Sequence, residues 1–269
     1  MTATTNEKTK PVRLDDDQYE KARTLWGDVW RQFRKHRAAV AATFMLLTII
    51  LAVVIGPFLW PIDPEYIDIV AAYSGPTAEH PFGTDNLGRD TFSRTLYGGR
   101  ISLAIAFSAA TSTLIIGLTI GVMTGYFGGI VDDFIMWLIT TLNALPGLYL
   151  LIAVSALFRP SPEVLVLVIT LTGWTGDTRL MRGQTIAIRD LDYVTAARAL
   201  GAAPWRIMYS HIAPNLISIL AINMALSIGG IILAEAALSF LQFGVQPPTP
   251  TWGNMLTDSQ SYFRQAGHL

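Results

Sequence analysis

No cysteine occurs in these 269 residues, which removes disulfides and thiolate metal ligation from the outset. Charge is nearly as scarce: Asp, Glu, Lys and Arg make up 14% of the chain, where a soluble domain averages about 25%. The 19 basic and 20 acidic residues almost cancel, so there is no global field to attract nucleic acid. The four histidines, His36, His80, His211 and His268, are scattered and make no metal-ligand cluster. A phosphate-cradling G-x-x-x-x-G-K-[ST] is missing, so the chain has no nucleotide loop of its own, and no cofactor is expected. Strict two-residue alternation is missing as well, which leaves a transmembrane barrel uncompetitive.

What is present is apolar. Hydrophobic residues make up 51% of the chain, and several charge-free runs reach the roughly 20 residues that a bilayer crossing needs. Spans are expected over residues 38–60, about 101–124, 134–158 (interrupted by Pro146), 162–178 (with Trp174 as an interfacial anchor) and 214–240. All should be helices, since only helices satisfy their own backbone in lipid. Nine of the 19 basic residues lie in residues 1–37, with Arg34, Lys35 and Arg37 against the first span. The positive-inside bias therefore puts the N-terminal segment 1–37 in the cytoplasm. Alternation places 61–97 outside, 125–133 inside, 159–162 outside, 177–213 inside and 241–269 outside. Arg179, Arg182, Arg189, Arg198 and Arg206 on 177–213, against Arg264 alone in the last 29 residues, agree with that order.

Residues 1–25 are polar and aperiodic, the pattern of a disordered segment, and are not expected to be a cleaved signal. Trp26, Val29, Trp30 and Phe33 among basic residues predict an interfacial helix leading into the first span. Gly117, Gly121 and Gly125 at four-residue spacing predict a stripe of close helix packing. Glu235 is a carboxylate inside a span, which is costly and calls for a cavity or a partner. Asn143, Asn223 and Ser227, like Glu235, are candidates for a polar path or for bonds between helices; their types do not separate the two.

The most structured connector runs from Tyr193 to Pro214. A helix-forming stretch ends at Gly201, where a left-handed turn favours glycine. Pro204 suits the first turn of a second short helix, and Pro214 stands where a further apolar helix is expected to begin. Helix, glycine elbow, helix, proline is a shape suited to gripping another protein.

Three separated motifs carry a resemblance. His80 to Leu103 holds HPFGTDNLGRD followed by GGRISL, Tyr193 to Pro214 holds the elbow, and Glu235-Ala-Ala-Leu-Ser-Phe-Leu precedes Pro247-Pro-Thr-Pro-Thr-Trp-Gly253. Together they resemble the permease subunit usually lettered C of dipeptide and oligopeptide ABC importers, over roughly residues 34–260. The resemblance implies an all-α polytopic bundle at the inner membrane of a prokaryote, with an ABC-type transmembrane domain over 98–269. It also implies a sixth span beyond Leu269. The chain would form half of a peptide pathway, beside a homologous permease, two ATPase subunits and an extracytoplasmic binding protein. ATPase docking would fall to loop 179–213, through Tyr193, Thr195, Ala196, Ala197, Gly201, Pro204, Arg206, His211 and Pro214. Thr195 replaces the motif's Glu, His211 its Ile, and Gln242 a glycine after Ser239-Phe-Leu. The same architecture serves nickel chelates, glutathione and some sugars. A stand-alone ion-coupled transporter is the reading from another class; it would need repeated halves and more intramembrane carboxylates than Glu235.

Overall fold

A computed structural model of the chain describes residue 30, residues 33–157 and residues 161–262. The polar segment 1–25 and the expected end of the third span at Phe158 lie outside the described residues. Among those described there are helices, turns and loops, and strand-like pairing is limited to an isolated bridge between Thr84 and Asp90.

Internal contacts divide the chain into residues 1–51 and 52–269. In the first unit Trp30 stacks on Phe33 at 5.7 Å, and the Arg34 guanidinium lies 4.8 Å over the indole. Aromatic rings beside a cation suit the headgroup layer; Trp26 and Val29 lie outside the described residues. Helix α1 (Arg37–Leu59) begins in this unit, where Phe44, Met45, Leu46 and Leu47 are all exposed. An apolar surface of that kind needs lipid or protein around it.

The second unit continues through α2 (Thr91–Phe127), α3 (Gly129–Asn143), α4 (Gly147–Leu157), α5 (Pro162–Ile188), α6 (Asp192–Ala199), α7 (Pro204–Arg206), α8 (Ile217–Phe240) and α9 (Trp252–Tyr262). Among the described residues four helical paths are long and apolar enough to cross a membrane: Arg37–Leu59, Thr91–Phe127, Pro162–Ile188 and Pro204–Phe240. Helix starts follow ordinary capping chemistry. Asp90 caps α2 by accepting from the Ser93 N–H at 2.8 Å, and Ser161 caps α5 with Pro162 in the first turn.

The α2–α5 pair is the spine. A Cβ on Gly117 would lie 2.3 Å from Cβ of Asp177, one on Gly121 2.7 Å from Cβ of Met181, and one on Gly125 2.7 Å from Cβ of Thr185. The glycine stripe is therefore where the two backbones meet, a packing role. One apolar cluster joins Ile105, Ala106 and Ala109 of α2 to Leu165 and Ile169 of α5 and to Ile231 and Leu238 of α8. A second joins Val122 and Met181 to the elbow segment, through Val194, Ile207, Met208, Ile212 and Leu216.

Helix ends differ from the sequence expectations in three places. α2 starts at Thr91 rather than near 101, and α5 runs on to Ile188 rather than stopping near Thr178. Hydropathy marks where lipid ends, not where a helix does. The run expected as the third span is two helices, α3 and α4, parted at Pro146, whose missing N–H cannot continue the ladder. Pro214 does not open α8. It sits in a 3₁₀ turn (Ala213–Leu216) that follows a π-helical turn (Ile207–Ile212), so the path from Pro204 to Phe240 is unbroken. The wider π turn is a common way for a helix to absorb a local misfit such as a proline.

Candidate functional site

The elbow closes with main-chain atoms alone. Gly201 has φ +80°, its N–H donates to the Arg198 carbonyl at 3.0 Å, and the Ala202 N–H donates to Ala197 at 3.1 Å. This 6→1 plus 5→2 pair is a Schellman turn, which needs a left-handed residue at the position of Gly201. Ala203 is extended, and Pro204 opens α7 at its first turn. The Asn215 amide then braces the far side, donating to the His211 carbonyl at 2.6 Å and to the Tyr193 hydroxyl at 3.2 Å.

The segment has two faces. Val194, Ile207, Met208 and Ile212 are buried against α2 and α5. Leu200, Trp205 and Tyr209 are exposed, the last two rings stacked at 5.9 Å. Of the sequence candidates, Tyr193, Thr195, Ala196, Gly201, Pro204, Arg206 and Pro214 are exposed, while Ala197 and His211 are half-buried. The Thr195 hydroxyl turns back on its own helix, donating to the Asp192 carbonyl at 3.0 Å. Leu200, Trp205 and Tyr209 were missed by sequence reasoning, although the i, i+4 spacing of the two rings against the buried pair Ile207 and Met208 marks them as an outer face.

Three arginines bond helices around this segment, of which Arg198 belongs to the elbow itself, Arg182 joins α5 to α3, and Arg189 joins the end of α5 to α2. Arg182 makes a two-pronged pair with Asp132, both N–O distances 2.5 Å. Arg189 donates to the Gly125 carbonyl at 2.9 Å, and Arg198 lies 5.5 Å over the Tyr126 ring. A push on the elbow therefore reaches α2 and α5 through apolar packing and the Arg198–Tyr126 contact, and reaches α8 through continuous helix.

Deeper in the bundle, polar side chains pair across helices. Asn143, at the end of α3, accepts from the Thr175 hydroxyl at 3.1 Å. The Asn223 amide on α8 donates to Asp177 on α5 at 2.5 Å. Thr175 and Asp177 point to different sides of α5, so Asn143 and Asn223 bond to separate faces of that helix, and Ser227 lies half-buried one turn beyond Asn223. Asp177 was overlooked because the expected fourth span stopped beside it; it is buried inside α5. Glu235 stands apart, about 18 Å further along α8 at helical rise. It is 1% exposed and accepts from the Ser239 and Thr251 hydroxyls, each at 2.9 Å.

At the end of the bundle remote from the elbow, the GTDNLGRD segment folds into a tight turn. Asp85 pairs with Arg89 at 2.7 Å, while Asp90 takes His80 at 3.0 Å and the Trp60 indole N–H at 3.2 Å. These carboxylates are occupied as cap and ion pairs. Asp258 of α9 closes over the same turn: burial pushes its carboxyl up, and Arg94 and Arg89 pull it back.

Comparison with known proteins gives concordant results. Residues 117–267 match the family described as binding-protein-dependent transport system inner membrane component. Residues 24–76 match the N-terminal transmembrane domain of oligopeptide transport permease C. The chain is 39% identical over 231 residues to the dipeptide transport system permease of Bacillus subtilis, covering 86% of this chain and 72% of that one. It is 38% identical over 262 residues to the glutathione transport system permease of Pectobacterium atrosepticum, covering 97% and 86%. The oligopeptide transport system permease of Bacillus subtilis is 34% identical over 239 residues, covering 89% and 78%.

Proposed function

The chain belongs to the inner membrane components of binding-protein-dependent transport systems, a multi-pass permease of an ABC importer, and from that premise we propose that it forms half of a peptide pathway driven by separate ATPase subunits. The observation that carries the coupling half of this reading is the elbow at Gly201, exposed on one side, seated on α2 and α5 on the other, and continuous with α8. Its exposed crest of Leu200, Trp205 and Tyr209 offers the aromatic, desolvatable contact that protein interfaces favour. Peptide cargo is supported by the three relatives, named for dipeptides, oligopeptides and glutathione, which is itself a small peptide. A homologous permease completes the pathway, an ATPase docks under each, and a binding protein delivers cargo to the outer face. Asn143 and Asn223, each bonded to α5, act here as ties between helices, and Ser227 is left as the candidate polar contact for cargo.

ATP closes the ATPases, the elbow moves with them, and α8 swings against the α2–α5 spine. That is a two-state element biased by two distinct sites, as coupling requires. Purified alone, the chain is expected to hydrolyse no ATP; vanadate-sensitive turnover by the isolated subunit would overturn the division of labour. Orientation is tested by single cysteines in this cysteine-free background. Lys8→Cys should react only from the cytoplasmic side and Gln246→Cys, at an exposed position, only from outside. Labelling of both from one side would refute the proposed topology.

A further inference from the structure

Glu235 is held by an arrangement that a plain interhelix hydrogen bond does not need. It makes no ion pair among the described residues, and its Oε2 is buried without a hydrogen-bond partner. Its Oε1 takes both available hydroxyls, Ser239 from its own helix and Thr251 from the residue that opens α9. Thr251 is fixed in turn by a reciprocal pair with Asn254: its N–H donates to Asn254 Oδ1 at 2.9 Å, and the Asn254 N–H donates to its Oγ1 at 3.2 Å. The Asn254 amide also ties down the loop before α9, donating to the Thr249 carbonyl at 2.8 Å and to Val245 at 3.2 Å.

The rest of the α9 start is wedged as firmly. The Trp252 N–H donates to Ser102 Oγ at 3.1 Å and its indole N–H to the Thr95 carbonyl at 3.0 Å, both on α2. Gly253 lies so close to α8 that a Cβ there would come within 2.6 Å of Glu235 Oε2 and 2.9 Å of Ala236 Cα. Loop 244–251, α9 and the GTDNLGRD turn thus form one cap, and the Glu235–Thr251 bond is its polar tie to α8. The same helical path begins at Pro204, beside the elbow, about 45 Å away at helical rise. A carboxylate at one end of a continuous lever, bonded to the cap, with the elbow at the other end, is placed to pass a force between them.

We propose that Glu235 is a positioning residue that couples the outer cap to the elbow, so that arrival of the binding protein on the cap is felt by the ATPases. The inference rests on the permease reading above, which supplies the two partners. Glu235 touches no cargo in this role; it acts through Thr251 and α8.

The test uses the full complex of both permeases and the ATPases in lipid nanodiscs. The binding protein is added as isolated from its source cells, and ATP hydrolysis is read with and without it. Wild type should be stimulated. Glu235→Ala and Thr251→Val should keep the basal rate and complex yield while the stimulated increment falls by roughly fivefold or more. Glu235→Gln, which retains an acceptor oxygen, should restore it, and the Glu235→Ala/Thr251→Val double variant should lose no more than Glu235→Ala alone. Wild-type stimulation in Thr251→Val, or a basal rate that falls in step with the increment, overturns the proposal. So does failure of both variants to assemble, which would make the pair a folding contact. If Glu235→Ala alone fails to assemble, Thr251→Val decides. Absence of stimulation in wild type would instead sink the permease reading and the inference with it.

Discussion

Gly201→Asp should leave the chain inserted in the membrane and its ATP-driven uptake abolished. The position is exposed and no heavy atom lies within 4 Å of where a Cβ would be built, so the bundle itself has room. The cost arises in the backbone. At φ +80° a side chain is disfavoured by roughly 1 kcal/mol or more, which loosens the Schellman turn without unfolding a membrane protein. A larger cost arises where the elbow meets its ATPase, because the new carboxylate must be desolvated beside Leu200 and Trp205. An unpaired charge buried at an interface costs several kcal/mol, enough to empty the complex. Arg206→Ala, an exposed charge on the rim of the same crest, should slow association and leave uptake mostly intact. Co-purification of the ATPases with each variant, beside uptake into vesicles, checks both. Retention of ATPase binding and uptake by Gly201→Asp would show that the elbow is not the docking site.

Gly121→Leu should remove the folded protein from the membrane altogether. A Cβ at this position would sit 2.7 Å from the Thr178 carbonyl oxygen and 3.0 Å from the Arg182 nitrogen, both main-chain atoms that cannot swing aside. α2 and α5 would have to part, which breaks the apolar cluster under the elbow and the Arg189 bond to Gly125. Overpacking of this kind costs about 1–3 kcal/mol where side chains can yield, and more where backbones meet. Membrane abundance and the melting temperature of the solubilised chain report it. Wild-type values for both would mean that the stripe is not a helix contact.

The elbow was readable because each of its features is local: a glycine ends one helix, a proline opens the next, and neither depends on distant residues. The glycine stripe was readable for a related reason, since four-residue spacing places all three on one face. Asp177 was not readable. Its burial depends on Asn223, which lies far along the chain, and a window of hydropathy assigns a lone acid to water. α5 runs past its expected span because Arg182 is kept on a helix by Asp132 and not by lipid, and α2 starts before its span because Asp90 caps it. Pro214 misled because a proline usually marks a start, and the π turn that absorbs it leaves no mark in composition.

That π turn fixes an azimuth. Ile207 and Ile212, five residues apart, both face the spine, a spacing that an ordinary α-turn would split around the axis. Winding the same residues at ordinary α pitch would rotate everything before them by roughly 90° relative to α8. Trp205 and Tyr209 would then turn away from their present heading, with no residue type altered. The heading of the docking crest is thus set by the one extra residue that the π turn takes up, and by no individual side chain.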